Sequence, residues 1–418
     1  MQHLSVSARI IAALLRCIML LGASTLPTAA LHAGNAESAE DGEAAEDASV
    51  FTLEGEYVLD IVGVAQGERS GVRHVDLLTL TGTLDLEAAA GWRGAQLVGE
   101  VIAGTGREPN LLAGTLQGID NAEVAHNRVK LYQFYLAKDF ADAGVRLAAG
   151  FIDLNAEFYS NEAAGLLIAP AFGIGSELAA TGPNGPAIFP STAPTLMVHV
   201  EPTATTYASL ALVNAESGVL GDAGGIPAML REGALVIGEA GVTSFGKLAL
   251  GAWTYTRRQD DLRLVDAAGD PLRQRAAGAY LLVEVPIGTS KQASEPDTPA
   301  ASLFLRAGIS DGDTTPYWGG WQAGVLVNGV FTGRPDSQFS AGVNQAFLTG
   351  RFRRNEADAG IARGPNETGF EITYADRVAP WLTLQLDSQY VRSSDRSPGA
   401  RDAVIFALRF ILTGAASR

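Results

Sequence analysis

The chain has 418 residues, with 46 acidic against 30 basic side chains and a formal charge of −16. Phosphate neutralisation needs clustered lysine and arginine, and only four lysines occur, so nucleic acid is excluded as a partner. At 47% hydrophobic residues with 48 glycines, the chain is nonetheless not disordered as a whole.

The first stretch, MQHLSVSARIIAALLRCIMLLGASTLPTAALHAG, carries Arg9 and Arg16, then an apolar run, then small residues around Ala30 and Ala33. That order predicts a secretory signal peptide over 1–33. Pro27 and the small-residue tail weigh against a membrane anchor, and Arg16 directly before Cys17 weighs against a lipoprotein. Cys17 is the only cysteine, so the processed chain has no thiol, disulfide or thiolate metal site. No later stretch approaches about 18 consecutive apolar residues, so no transmembrane helix is expected. An exported chain of this kind is either soluble or a barrel. Residues 34–50, GNAESAEDGEAAEDASV, are small and acidic with no aromatic, and predict a flexible tail.

From Phe51 the hydrophobic period is 2. FTLEGEYVLDIVG sets Phe51, Leu53, Tyr57, Leu59 and Ile61 against Thr52, Glu54, Glu56 and Asp60. WLTLQLDSQYV sets Leu382, Leu384, Leu386 and Tyr390 against Thr383, Gln385, Asp387 and Gln389, a polar side suited to water. DAVIFALRFIL sets Val404, Phe406, Leu408, Phe410 and Leu412 against Ala403, Ala407 and Arg409. Successive side chains of a strand point to opposite faces, so these are strands with one apolar and one polar side. Sixteen such segments begin near residues 51, 72, 94, 127, 143, 194, 205, 233, 246, 277, 300, 318, 337, 366, 380 and 402. Many reach the length of about 9–11 residues that a tilted membrane-crossing strand needs.

A soluble β-sandwich alternates in the same way, but it has no reason to sort its connections by parity. Here the second, fourth, sixth and eighth connections are tight: EAAAGWRG, DFADAG, EPTAT and TSFG. The third, fifth, seventh and ninth are long: 105–126, 153–193, 215–232 and 258–276. QGERSG (short) and GTSKQASEPDTPA (long) break the rule. Short turns at one end and long loops at the other mark an outer-membrane barrel. A bilayer cannot hydrogen-bond a free sheet edge, so the barrel must close. The expectation is an all-β, transmembrane antiparallel barrel of sixteen strands over 51–412, with a short tail at 413–418.

The runs LLAGTLQGIDNAEV, LYQFYLAKDF, GVRLAAGFIDLNAEFYSNEAAGLLIAPAFG and LTLQLDSQYVRSSD, in that order, resemble the carbohydrate-selective porin (OprB) family. The resemblance covers most of 72–412 and is densest over 111–196. It implies an outer-membrane barrel through which sugars diffuse, narrowed by loops folded into the lumen. Two departures stand out. Phe172-Gly173-Ile174-Gly175 replaces an FGWP-like segment, and the chain ends on TGAASR after Phe410, Ile411 and Leu412 instead of on an aromatic. The missing tryptophan keeps a less selective pore for small solutes open as an alternative.

Sugars are neutral, rich in hydroxyls and apolar on their C–H faces, so a passage for them needs carboxylates, amides, arginines and an aromatic surface. The loop after the fifth strand offers Asp153, Asn155, Glu157, Phe158, Asn161, Glu162 and Phe172, with Glu157 and Phe172 expected near the narrowest part. The loop at 105–126 adds Gln117, Asn121 and Glu123, and Arg128, Lys130 and Arg146 are expected on the facing wall. Any of these also serves to fix a loop to the wall, Asp153 above all, since a strand-end carboxylate readily accepts backbone N–H bonds. The segment 176–190 reads as carrying few anchors. No HExxH or GxSxG occurs, and past the signal peptide the histidines are His74, His126 and His199, the last expected on the lumen side. No enzyme, cofactor or metal is expected. Carbohydrate, outer-membrane lipid and the barrel-assembly machinery are the expected partners, and the sequence leaves open whether copies of the chain join in a homotrimer.

Overall fold

The computed structural model describes residues 49–417, so the expected signal peptide and all but the end of the acidic tail lie outside them. Nine strands open the chain: β1 (Phe51–Gln66), β2 (Gly71–Asp85), β3 (Ala95–Gly106), β4 (Arg128–Phe140), β5 (Val145–Ile152), β6 (Ala193–Thr203), β7 (Thr206–Asn214), β8 (Ala234–Val242) and β9 (Lys247–Tyr255). A small hairpin, β10 (Gln259–Val265) and β11 (Pro271–Gln274), stands within the next loop. Then follow β12 (Ala277–Thr289), β13 (Pro299–Ser310), β14 (Tyr317–Asn328), β15 (Gln338–Leu348), β16 (Asn366–Ala379), β17 (Leu382–Arg392) and β18 (Ala403–Ser417).

Without the hairpin, the remaining sixteen strands pair each with its neighbour in sequence, and β18 pairs antiparallel with β1 to close the barrel. Of the stretch expected as a tail at 413–418, residues 413–417 are part of that closure. Thr413, Gly414, Ala415 and Ala416 stand opposite Glu56, Gly55, Glu54 and Leu53. Small side chains meet the ladder without crowding it, and the first half of β1 would otherwise present an open edge. The hairpin likewise corrects the reading of 258–276 as plain loop.

The ladder fixes which residues share a face, because directly opposed residues of an antiparallel pair point the same way. Arg409 opposes Asp60 on one side and Gln385 on the other, and all three face inward. Phe406, Leu408 and Phe410 therefore face outward, as do Leu196 on β6, Leu250 on β9 and Leu386 on β17, all three of them largely exposed. This outer belt of apolar side chains with paired backbone is what a bilayer requires. Leu408→Arg is expected to impair assembly, since an arginine on a lipid-facing strand costs about 2–4 kcal/mol at mid-membrane. Thr383→Arg, on the inner face of β17, should assemble normally. Equal yields of heat-modifiable barrel from the two variants would reverse the facing assigned to these strands.

The inner face holds a surprise for the alternation rule. Gln385, Asp387 and Gln389 are inward but not wet, being 2%, 5% and 3% exposed. Long loops lie against them. Gln385 Nε2 donates to the Leu166 carbonyl at 2.7 Å, and Gln389 Nε2 donates to the Ile119 carbonyl at 2.8 Å.

Candidate functional site

Two loops occupy the lumen, 107–127 after β3 and 153–192 after β5, and polar side chains of the inner wall bind their backbone. Such a loop carries amide groups that water can no longer reach, and each must find a partner. The long loop starts where the Asp153 side chain caps the short helix Leu154–Glu157 by accepting from the Asn155 N–H. An irregularity in the β3–β4 ladder places both Tyr132 and Gln133 beside Asp153. Tyr132 donates its hydroxyl to Asp153 Oδ2 at 2.7 Å, and the Asp153 N–H donates to Gln133 Oε1 at 2.9 Å.

The loop then follows the wall strand by strand. On β8, Glu239 accepts from the Tyr159 N–H at 3.0 Å and from the hydroxyls of Tyr207 and Tyr280 at 2.6 and 2.8 Å. Lys247 on β9 donates to the Ser160 carbonyl, and Glu284 on β12 accepts from the Ala163 N–H. Arg306 on β13 is fully buried and donates to the carbonyls of Tyr159, Gly173 and Ala171 at 3.1, 2.8 and 3.2 Å. Glu371 on β16 accepts from the N–H groups of Ile168 and Ala169. Glu367, also on β16, accepts from those of Leu116 and Gln117 in the other loop. Arg409 on β18 reaches Asp60, Asp120 and Asn121.

Two inward glycines make this seating possible. A Cβ on Gly308 would stand 1.8 Å from Glu177 Oε1, and one on Gly342 would stand 2.7 Å from the Phe172 ring. Glu177 is buried, accepts the Tyr159 hydroxyl at 2.7 Å, and is pushed up in pKa by its burial.

Most of the residues singled out in the sequence are fasteners of these loops. Phe158 is buried with Tyr159, which stacks on Tyr280 at 4.1 Å. Phe172 is only 3% exposed and lies edge-on to Phe304 at 6.1 Å, so it offers no face to a passing sugar. Its setting among Ala163, Ala164, Leu167 and Ala169 is that of a packing anchor. Asn155 Nδ2 donates to the Gly173 carbonyl, and Asn161 Nδ2 is directed to the Val283 carbonyl. Gln117 accepts from Ser176 Oγ. Asn121 accepts from Arg409, and Glu123 accepts from the Asn110 N–H, its pKa raised to about 7 by burial.

Lys130 is buried in an ion pair with Asp222 at 2.7 Å and donates to Pro190 O and Ser191 Oγ, so it joins two loops instead of lining open wall. The pair holds the Asp222 carboxyl below its usual range against the opposing effect of burial. Arg128 sits beside the Gly221 carbonyl. The segment 176–190 is well anchored, contrary to its composition: Glu177, Leu178, Thr181 and Ala187 are buried, and Asn184 exchanges hydrogen bonds with Ser217.

Asp139, Arg146, His199, Ser209 and Glu239 oppose one another in a single row across β4–β8, all facing inward. Ser209 and Glu239 are buried, and what stays open is the strip of the row on β4–β6. Arg146 and Asp139 are partly exposed and 3.4 Å apart, and His199 lies 3.3 Å from the more exposed Glu201. Glu157 of the loop carries no side-chain hydrogen bond among the described residues and faces this strip. Burial raises its pKa, and the positive charge of Arg146 opposes the rise. Glu162 is exposed and likewise without such a bond among the described residues. The sequence pointed to the inward side of His199 but missed Ser209, Glu239, Arg306, Glu371 and Arg409 as site-building residues. Their signal was cross-strand register, which alternation within one strand does not contain.

The row does bring Ser209 Oγ to 2.8 Å from His199 Nδ1, a serine–histidine contact with Glu201 beyond it. Both edges of β7 are paired, to β6 and to β8, so its backbone N–H groups serve the ladder and supply no oxyanion site. The contact orders a polar wall.

The family model described as carbohydrate-selective porin, OprB family, matches residues 69–413. No curated protein matches significantly. Among solved structures, OprB of Pseudomonas putida at high pH is similar with a TM-score of 0.73 at 18% identity, over 88% of this chain and 94% of that one. Its low-pH structure gives 0.54 at 16% identity, over 87% and 91%. The outer-membrane channel DcaP of Acinetobacter baumannii gives 0.55 at 11% identity, over 89% and 99%. At these identities the likeness is one of fold.

Proposed function

Because the chain belongs to the carbohydrate-selective porin (OprB) family, whose barrels pass sugars across the outer membrane by diffusion, we propose that the open strip of Arg146, His199, Glu201 and Glu157 is where it reads its solute. One observation carries the assignment: the other polar groups of the inward-folded loops are largely engaged in holding them, while these remain partly exposed with unused donors and acceptors. A sugar hydroxyl both donates and accepts, so alternating guanidinium, imidazole and carboxylate groups exchange bonds with it along the path. Fixed charges at close quarters also set which ions accompany it.

Glu157→Gln is the test. It should lower the cation preference in reversal-potential measurements and slow liposome swelling in glucose several-fold, leaving swelling in a small polyol nearly unchanged. If ion preference and sugar rate both stay at the wild-type level, the strip is not the selective region.

A less selective pore for small solutes is the second reading, favoured by the burial of Phe172, which leaves this loop segment without a stacking surface. Equal swelling rates for sugars and polyols of one size in the unmodified protein would decide for it.

The same reading includes export by residues 1–33, insertion by the barrel-assembly machinery and lipid around the outer belt. It also includes a homotrimer meeting along β2–β3. There Asp76 and Thr105 oppose each other on the outward face, hydrogen-bonded at 2.6 Å, a polar pair that lipid alone would disfavour.

A further inference from the structure

The outer wall is not evenly convex. Where β4–β8 pass, outward-facing Leu147, Leu196, Leu210 and Leu212 stand around the small Ala149 and enclose an apolar depression of about 600 Å³. Lys138 borders it, two residues before the end of β4. That end carries a short turn, which places it on the periplasmic side. Exposed Trp92 and Phe140 beside it mark headgroup level, where aromatic side chains collect.

The charge on Lys138 is the informative part. Lys130 and Lys247 are each ion-paired, to Asp222 and Glu239. Lys138 meets no carboxylate among the described residues. Its ammonium is held by two backbone carbonyls, those of Arg93 and Asp139, over the Phe140 ring at 4.9 Å. The neighbouring carboxylate of Asp139 is turned inward to Arg146. Arg93 is exposed in the adjacent turn, with no side-chain bond or ion pair among the described residues. The exposed acids in the two turns are Asp142, in the 141–144 turn, and Glu87, whose carboxylate accepts from the Gly94 N–H at 2.9 Å; neither forms an ion pair with Lys138 or Arg93 among the described residues.

We propose that this depression binds one anionic phospholipid of the periplasmic leaflet, with an acyl chain over Ala149 and the phosphate on Lys138 and Arg93. An ammonium and a guanidinium at headgroup level, neither in an ion pair among the described residues, complement a net negative lipid. A zwitterionic lipid carries its own counter-charge and gains less. The apolar depression alone does not distinguish the two, and the basic pair does.

The experiment uses the full barrel in detergent, given dioleoyl phosphatidylglycerol or dioleoyl phosphatidylcholine, with lipid retention read by native mass spectrometry. Phosphatidylglycerol should be retained at least several-fold better by the unmodified protein. Arg93→Gln with Lys138→Gln should bring the two lipids level, and Ala149→Phe, which fills the floor, should reduce retention of both. Unchanged single-channel conductance verifies that each variant is folded. Equal retention of the two lipids by the unmodified protein, or a preference that survives loss of both basic residues, overturns the site. So does efficient disulfide cross-linking of Leu196→Cys between copies in the membrane, since a second chain would then cover this face.

Discussion

Replacing Arg306 by methionine should raise single-channel conductance several-fold and remove the advantage of sugars over polyols of equal size. Arg306 is the point where two arms of the long loop meet one wall residue: its guanidinium donates to Tyr159 on one arm and to Ala171 and Gly173 on the other. The carbon that carries its charge also lies 5.7 Å from the centre of the Tyr159 ring. Methionine keeps the apolar stem of the side chain and none of its donors. The carbonyls of Tyr159 and Ala171 then lack partners, at about 1–3 kcal/mol each, while that of Gly173 keeps Asn155, and the loop relieves the deficit by swinging into water. The sixteen-stranded ladder does not pass through these bonds, so the barrel itself should persist and remain heat-modifiable. Arg306→Lys should fall between, because one ammonium does not match a planar fork serving three acceptors. A folded methionine variant with unchanged conductance would show that the remaining wall contacts hold the loop without it.

The contrast between barrel and loop explains what the sequence made legible. Strand positions follow from alternation, a local property, and each of the sixteen expected starts lies close to an observed strand. The apolar face of β18, from Val404 to Leu412, needed nothing beyond itself to be read. The same alternation says only that Gln385 and Gln389 point inward, and cannot say whether water or a loop meets them there. That depends on partners more than 200 residues away, such as Leu166 and Ile119. Phe172 shows the limit from the other side. An aromatic in a small-residue loop looks like a stacking platform until Gly342 and Phe304, from strands far along the chain, form the niche that buries it. The last residues misled for a related reason: Gly414, Ala415 and Ala416 have no apolar pattern, yet the edge of β1 holds them in register.

Arg409→Leu should destabilise the barrel more than any lumen change that leaves the loops seated. Arg409 and Asp60 face each other across the seam where the last strand meets the first, and both are buried. Two bonds join them, Nε to Oδ1 at 2.8 Å and Nη2 to Oδ2 at 2.7 Å. Nη2 also donates to Asn121 Oδ1 at 2.7 Å, which seats the 107–127 loop on the same seam. Asp120 lies close as well, 3.5 Å from the guanidinium. Its pKa is pushed up by burial and by the like charge of Asp60, with Arg409 opposing the rise. Removing the arginine alone strands a buried carboxylate, at a cost of about 3–5 kcal/mol. Removing both, as Asp60→Leu with Arg409→Leu, takes away the pair together among the apolar neighbours Val58, Val62 and Ala407 and relieves Asp120 of the like charge of Asp60, and such paired replacements are often neutral. The double variant should therefore unfold in urea near the unmodified midpoint, and the single variant well below it. Conductance separates the second role of the arginine, since both variants lose the bond to Asn121 and should show a less settled 107–127 loop as added current noise. If the single variant is no less stable than the double, the pair is not what holds the seam, and the closure rests on the backbone ladder alone.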